Sequence, residues 1–138
     1  MVSYKKKIAL IFGISGQDGI YLSKLLIDKN YTVIGTSRVK RNNISNFKKV
    51  GITKVIKIYK INPQNENEVK KIIKLTHCNE IYYFSGISSV SYSFKHPEET
   101  LIANTKGIIN ILESCRLINK KIKIYNAATG ECFGSSKK

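Results

Sequence analysis

Residues Gly13, Ile14, Ser15, Gly16, Gln17, Asp18 and Gly19 set three glycines at the spacing Gly-x-x-Gly-x-x-Gly. Glycines so placed suit one chemistry in particular, the holding of phosphate by backbone. One permits a tight turn, a second lets the main chain approach a pyrophosphate, and a third allows a helix to press against a strand. A helix opening at this point would add unpaired N–H groups and a partial positive charge. Three glycines in a turn can also be purely structural, and the spacing is not the Gly-x-Gly-x-x-Gly of many dinucleotide domains. The context favours a ligand. A short apolar run over 8–12 precedes the motif and an amphipathic stretch over 18–29 follows it. On this reading Gly13, Ser15, Gly16, Gln17, Asp18 and Gly19 surround the phosphates of a dinucleotide.

The end of the next strand reads out which dinucleotide. A carboxylate there bonds the adenosine ribose of NAD, whereas an arginine accommodates the 2′-phosphate of NADP. Here the strand runs into Gly35-Thr36-Ser37-Arg38, with Lys40 and Arg41 beyond, and no carboxylate lies between Asp28 and Glu66. NADP is therefore expected in preference to NAD, with Arg38 as its recognition residue. The alternative for Arg38 is an ordinary solvated charge.

The elements that must position these residues alternate along the chain. Strands are predicted over 8–12, 32–36, 54–59, 80–84 and 122–127 from their apolar content. Helices are predicted over 18–29, with Ile20, Leu22, Leu25 and Leu26 as the apolar face, and from Asn62-Pro63 to about Thr76, with Val69, Ile72, Ile73 and Leu75. A longer helix from Pro97 carries Leu101, Ile108, Leu112 and Cys115 near the helical period. Polar loops are expected over 37–45 and 85–95, and a turn at Asn30. Such alternation implies a Rossmann-like, doubly wound parallel sheet of about five strands in three α/β/α layers, with residues 1–138 as one dinucleotide-binding domain.

Bulk properties narrow the class. Of 138 residues, 42% are hydrophobic, enough for a packed core, and no apolar run approaches the length of a membrane span. The basic start, Met-Val-Ser-Tyr-Lys-Lys-Lys, leads into a glycine loop rather than a cleavage site, so a cytoplasmic protein is expected without a membrane partner. Cys78, Cys115 and Cys132 form no Cys-x-x-Cys pair, and His77 and His96 stand apart, which argues against a metal site. The net charge of +15 comes almost wholly from scattered lysines; Arg38, Arg41 and Arg116 are the arginines. Sequence-specific nucleic-acid reading leans on arginine's planar fork, so no specific nucleic-acid partner is expected, though the charge attracts phosphorylated ligands.

The stretch KIALIFGISGQDGIYL, residues 7–22, resembles the opening of GDP-mannose 4,6-dehydratases, extended short-chain dehydrogenases/reductases whose Gly-Gln-Asp-Gly is characteristic. Glu80-Ile81-Tyr82-Tyr83-Phe84-Ser85-Gly86 is similar to the family's fourth strand and the small-residue turn beside the cofactor. The resemblance implies that Ser85, Gly86 and Ser88 contact it. Residues 90–94 with Pro97-Glu98, and Asn104-Thr105-Lys106-Gly107 continuing to Glu113, resemble the loop and long helix that follow. Ala128-Thr129-Gly130-Glu131-Cys132-Phe133-Gly134 is similar to the family's Ser-Thr-Ser-Glu-Leu-Tyr-Gly. By that match Thr129 bonds the sugar's 4-hydroxyl and Glu131 is the acid/base for loss of water across C5 and C6. The implied reaction oxidises C4 first, which acidifies the C5 proton, and finally returns the hydride to C6.

The sequence also departs from the family. None of the eight tyrosines has a lysine four residues later, so these 138 residues hold no Tyr-x-x-x-Lys, and the family's C-terminal substrate domain is expected to be missing from them as well. Ile61-Asn62 stands where the family carries Asp-Leu beside the adenine. Val39 replaces a second arginine, with Lys40 or Arg41 as possible substitutes. The expectation is the NADP-binding portion of a nucleotide-sugar dehydratase, inactive alone, whose partners are a nucleotide sugar (GDP-mannose by the Gly-Gln-Asp-Gly match) and a second copy of itself. Competing readings are a non-catalytic dinucleotide-binding or protein-interaction module, and part of an NAD-dependent sugar epimerase or dTDP-glucose dehydratase.

Overall fold

Apolar residues alternate sides along the first strand, and that alternation divides the interior in two. In this computed structural model, which describes residues 6–38, 44–52 and 56–128, β1 spans Ile8–Phe12. Its Leu10 and Phe12 enter one core with Val69, Ile72, Ile73, Ile81, Tyr83, Ile111 and Cys115. Its Ala9 and Ile11 enter another with Ile14, Ile20, Leu26, Val33 and Phe47. A strand buried on both faces belongs at the centre of a sheet covered on both sides.

The elements follow in the order α1 (Gln17–Asp28), β2 (Thr32–Ser37), α2 (Ile44–Lys49), β3 (Lys57–Lys60), α3 (Glu66–Thr76), β4 (Glu80–Tyr83), α4 (Val90–Lys95), α5 (Pro97–Ile118) and β5 (Lys123–Asn126). Five parallel strands are arranged β3-β2-β1-β4-β5. Register places Phe12 beside Thr36 on one side and Tyr83 on the other. The cores place α1 and α2 on one face and α3 and α5 on the opposite one. The expected doubly wound parallel sheet is present. Asn30 makes the expected turn, with a left-handed φ of 65° that asparagine tolerates.

Several local expectations need correction. The helix expected from Asn62-Pro63 begins at Glu66, because Asn65 is the cap: its side chain accepts from the N–H groups of Asn67 and Glu68. Asn62 instead turns the chain, its Oδ1 accepting from Gln64 N at 3.1 Å. Glu68 ties the two together by accepting from Asn62 N at 2.8 Å and from Asn65 Nδ2 at 3.3 Å. Two short helices were not expected: α2, which begins at the end of the loop predicted over 37–45 and buries Phe47, and α4, which lies within the loop predicted over 85–95 and is capped by Ser89. The third strand starts at Lys57; residues 54 and 55 of its predicted range lie outside the described residues.

Leu25, Leu75, Leu101 and Leu112 are at least about half exposed, against the expectation that they face the core. On α5 the buried positions are Ala103, Gly107, Asn110, Ile111, Ser114 and Cys115. Small residues allow α5 to lie close: a Cβ on Gly107 would meet the Tyr83 hydroxyl and, at 3.2 Å, Pro63 Cβ. The larger leucines are turned to the opposite side. Buried hydroxyls are satisfied within their own helices, Ser23 by Gly19 O, Thr76 by Ile72 O and Ser114 by Asn110 O. Cys78 and Cys115 are free and buried; burial, and secondarily Cys78, pushes the Cys115 thiol up to about 11. No described helix is long and apolar enough to cross a membrane.

Candidate functional site

Each glycine of the turn after β1 faces a different constraint. Gly13 has φ 81°, a left-handed conformation, and a Cβ there would lie 2.9 Å from the Phe84 carbonyl carbon and 3.0 Å from Ser85 N. Gly19 is pressed against the turn, its missing Cβ being 2.7 Å from both Gly13 O and Ile14 Cα. Gly16 differs: among the described residues a Cβ there would meet only Gly13 O, at 3.4 Å, an ordinary contact. Packing of the protein on itself therefore requires glycine at 13 and 19 but not at 16. Those are the turn and helix-packing roles; an open Gly16 leaves room for close approach by something else.

The turn is anchored to β2. Thr36 O accepts from Gly13 N at 3.2 Å and from Ile14 N at 3.3 Å, and Ser15 Oγ donates to Ser37 Oγ at 3.0 Å. The buried Ile14 occupies the space beside Gly35. Gly16 is the N-cap of α1 and supplies no side-chain cap to its first turn. Gln17 and Asp18 are exposed in that turn. The result is a helix N-terminus without a side-chain cap and with Gly16, Gln17 and Asp18 exposed, which fits a phosphate group.

Two further segments meet this turn at the carboxyl ends of the strands. Arg38 is exposed immediately after β2. Its charge reaches Tyr83, whose phenol is pushed up by burial and partly drawn back down by Arg38. After β4 the chain passes Gly13 through Phe84 and half-buried Ser85, then Gly86 and the exposed Ser88. Thus the structure gathers Gly13, Ser15, Gly16, Gln17, Asp18 and Gly19 in one turn, with Arg38 on the β2 side and Ser85, Gly86 and Ser88 on the β4 side. Strand order reverses between β1 and β4, where open α/β sheets form their ligand crevice. Thr129 and Glu131 lie outside the described residues, which reach Ala128 just past β5.

A carboxylate at the opposite edge of the sheet is unrelated to this crevice. Glu80, at the amino end of β4, accepts from Tyr31 OH at 3.2 Å and Tyr82 OH at 2.8 Å. Burial, then Glu80, pushes the Tyr82 phenol up to about 12. Sequence reasoning placed Asn104 in a motif of the long helix without giving its amide a role, which is to bond both backbone groups of Ile87, and missed the amide of Asn110, which donates to Pro63 O at 3.0 Å. Asparagine inside an otherwise helical stretch, poor for propensity, was the available signal.

A family model described as GDP-mannose 4,6 dehydratase matches residues 10–138. The GDP-mannose 4,6-dehydratase of Vibrio cholerae serotype O1 is 33% identical over 145 residues, covering 94% of this chain and 37% of that protein. That of Sinorhizobium fredii is 31% identical, covering 94% and 39% respectively. The chain thus spans under two fifths of the length of these relatives. Among solved structures, the UDP-Glc/GlcNAc 4-epimerase of Campylobacter jejuni superposes with a TM-score of 0.83 at 17% identity, over 96% of this chain and 40% of that one. The UDP-glucose 4-epimerase of Brucella ovis, in complex with NAD, gives 0.82 at 15%, over 96% and 38%. At such identities the likeness shows the fold alone.

Proposed function

The chain belongs to the GDP-mannose 4,6-dehydratase family, and from that premise we propose that these residues form the NADP-binding portion of a nucleotide-sugar dehydratase. The observation that carries this reading is the division of labour among the three turn glycines, of which Gly16 is the one left free by packing among the described residues. Gly13 turns the chain, the open first turn of α1 donates to the pyrophosphate across Gly16, and Ser15 braces the turn on Ser37. Arg38 pairs with the 2′-phosphate, a role for which the β2 end offers no competing carboxylate. Ser85, Gly86 and Ser88 line the opposite wall.

A bound nicotinamide dinucleotide supplies a reversible hydride acceptor. The protein's part in the dehydration falls to Glu131, which removes the C5 proton and passes a proton to the departing hydroxyl, and to Thr129, which holds the sugar's 4-hydroxyl. The substrate proposed is GDP-mannose, on the strength of the relatives named for it. These 138 residues contain no Tyr-x-x-x-Lys to relay the proton from that hydroxyl, so they are expected to bind cofactor without turning substrate over.

Titration of the purified chain with NADPH and NADH, at fixed salt because a net charge of +15 favours any anion, tests the reading. NADPH is expected to bind about tenfold or more tighter, the worth of one charge-assisted phosphate contact, and Arg38→Ala to erase the difference. The same sample should leave GDP-mannose unchanged. Equal affinity in the unaltered chain would remove the NADP assignment. Binding of neither would favour a non-catalytic module.

A further inference from the structure

The segment after β4 forms one wall of the crevice, yet little of its own backbone holds it. Among the described residues, Ser85, Gly86, Ile87 and Ser88 make no backbone–backbone hydrogen bond. What ties the segment down is a side chain from α5. Ile87 N donates to Asn104 Oδ1 at 2.7 Å, and Asn104 Nδ2 donates to Ile87 O at 3.2 Å. The carboxamide is the neutral group that can donate and accept in one plane, so it grips both backbone groups of one residue at once. Gly86 makes the grip possible, since a Cβ there would stand 2.6 Å from Asn104 Oδ1. Immediately upstream, Phe84 and Ser85 back against Gly13, with Ser85 N 3.0 Å from that glycine's missing Cβ. One continuous path leads from Asn104 through Ile87 and Ser85 to the phosphate turn.

We propose that Asn104 is a positioning residue for dinucleotide binding, its amide fixing the wall formed by residues 85–88 against the glycine turn. The inference rests on the cofactor reading above and adds to it the residue that sets the crevice width. Asn104 itself is exposed, so its bonds compete with water and contribute little to global stability. Alanine, moreover, is a better helix former than asparagine. Loss of the amide is therefore felt at the loop rather than across the fold.

The test compares the purified chain with Asn104→Ala and Asn104→Asp. Three quantities are read: NADPH affinity, thermal midpoint and hydrogen exchange of the Ile87 amide. Asn104→Ala is expected to weaken NADPH by about tenfold and speed Ile87 exchange by about tenfold. Its thermal midpoint should stay within about 4 °C of the parent. Asn104→Asp keeps the acceptor but loses the donor, so Ile87 stays slow to exchange in that variant. Unchanged NADPH affinity in Asn104→Ala, with the parent binding normally, overturns the positioning role. Unchanged Ile87 exchange overturns the clamp itself. If the parent binds no dinucleotide, the cofactor reading and the positioning role fail together, while exchange still decides the clamp. If Asn104→Ala unfolds, so that Asn104 proves a structural residue, the positioning role is overturned as well.

Discussion

Gly16 and Gly19 stand three residues apart in one turn, yet a methyl group at each meets a different environment. At Gly19 it would press on main-chain atoms, Gly13 O and Ile14 Cα, that have nowhere to go. At Gly16 it meets one oxygen at ordinary distance, with φ −73° already suited to any residue. Gly19→Ala should cost about 1–3 kcal/mol of stability by overpacking. Gly16→Ala should cost no more than about 1 kcal/mol, from replacing a tolerable helix cap by a poor one. Its NADPH affinity should nevertheless fall about tenfold or more, since the methyl occupies the side a pyrophosphate approaches. Thermal melts and titration of both variants check this; a Gly16→Ala chain that melts like the parent and binds like it contradicts the assignment. The motif was legible from spacing, but which glycine serves the fold and which the ligand was not. For Gly13 that distinction depends on the β4 loop, about seventy residues on in the sequence, backing against it, and for Gly19 on how the turn folds onto the start of its helix.

Among elements, α3 shows how a helix start is decided. Asn62-Pro63 and Asn65 both carry helix-opening chemistry, and the difference lies three residues on. Glu68 follows Asn65 at the capping-box spacing and reaches back to Asn62 N as well. Asn65→Ala should therefore cost about 1 kcal/mol, seen as a lowered urea midpoint at unchanged slope. A midpoint equal to the parent's would show the cap to be redundant. The strands and the three longer helices could be read from periodicity, whereas α2 and α4 could not. Six residues make fewer than two turns, too short for a period to register. The inward face of α5 was also misread. Leu101 and Leu112 follow the helical period as well as the buried residues do, and only the close approach of α3 and Pro63 selects the small side chains.

At the scale of the molecule, a parallel sheet brings every strand's carboxyl end to one edge. Residues as distant as Gly13, Arg38 and Ser85 therefore become neighbours although none is adjacent in sequence. The +15 charge adds a long-range attraction for phosphates without selecting among them. Selection needs the fixed amides and Arg38. Apolar side chains remain exposed among the described residues, including Leu101, Ile102, Ile109 and Leu112 on the outer side of α5, Val90 and Phe94 on α4, and Tyr125 on β5.

The central claim, that a dinucleotide sits between the turn after β1 and the segment after β4, is tested most directly by residue-resolved amide shifts. Backbone amide resonances of the labelled chain would be followed during titration with NADP. The account predicts that the largest shifts fall on residues 13–19 and 85–88, with Arg38 moving as well, while the amino end of β4 around Glu80 stays still. Saturable binding whose shifts fall elsewhere, or no shift in the glycine turn at millimolar cofactor, would contradict it.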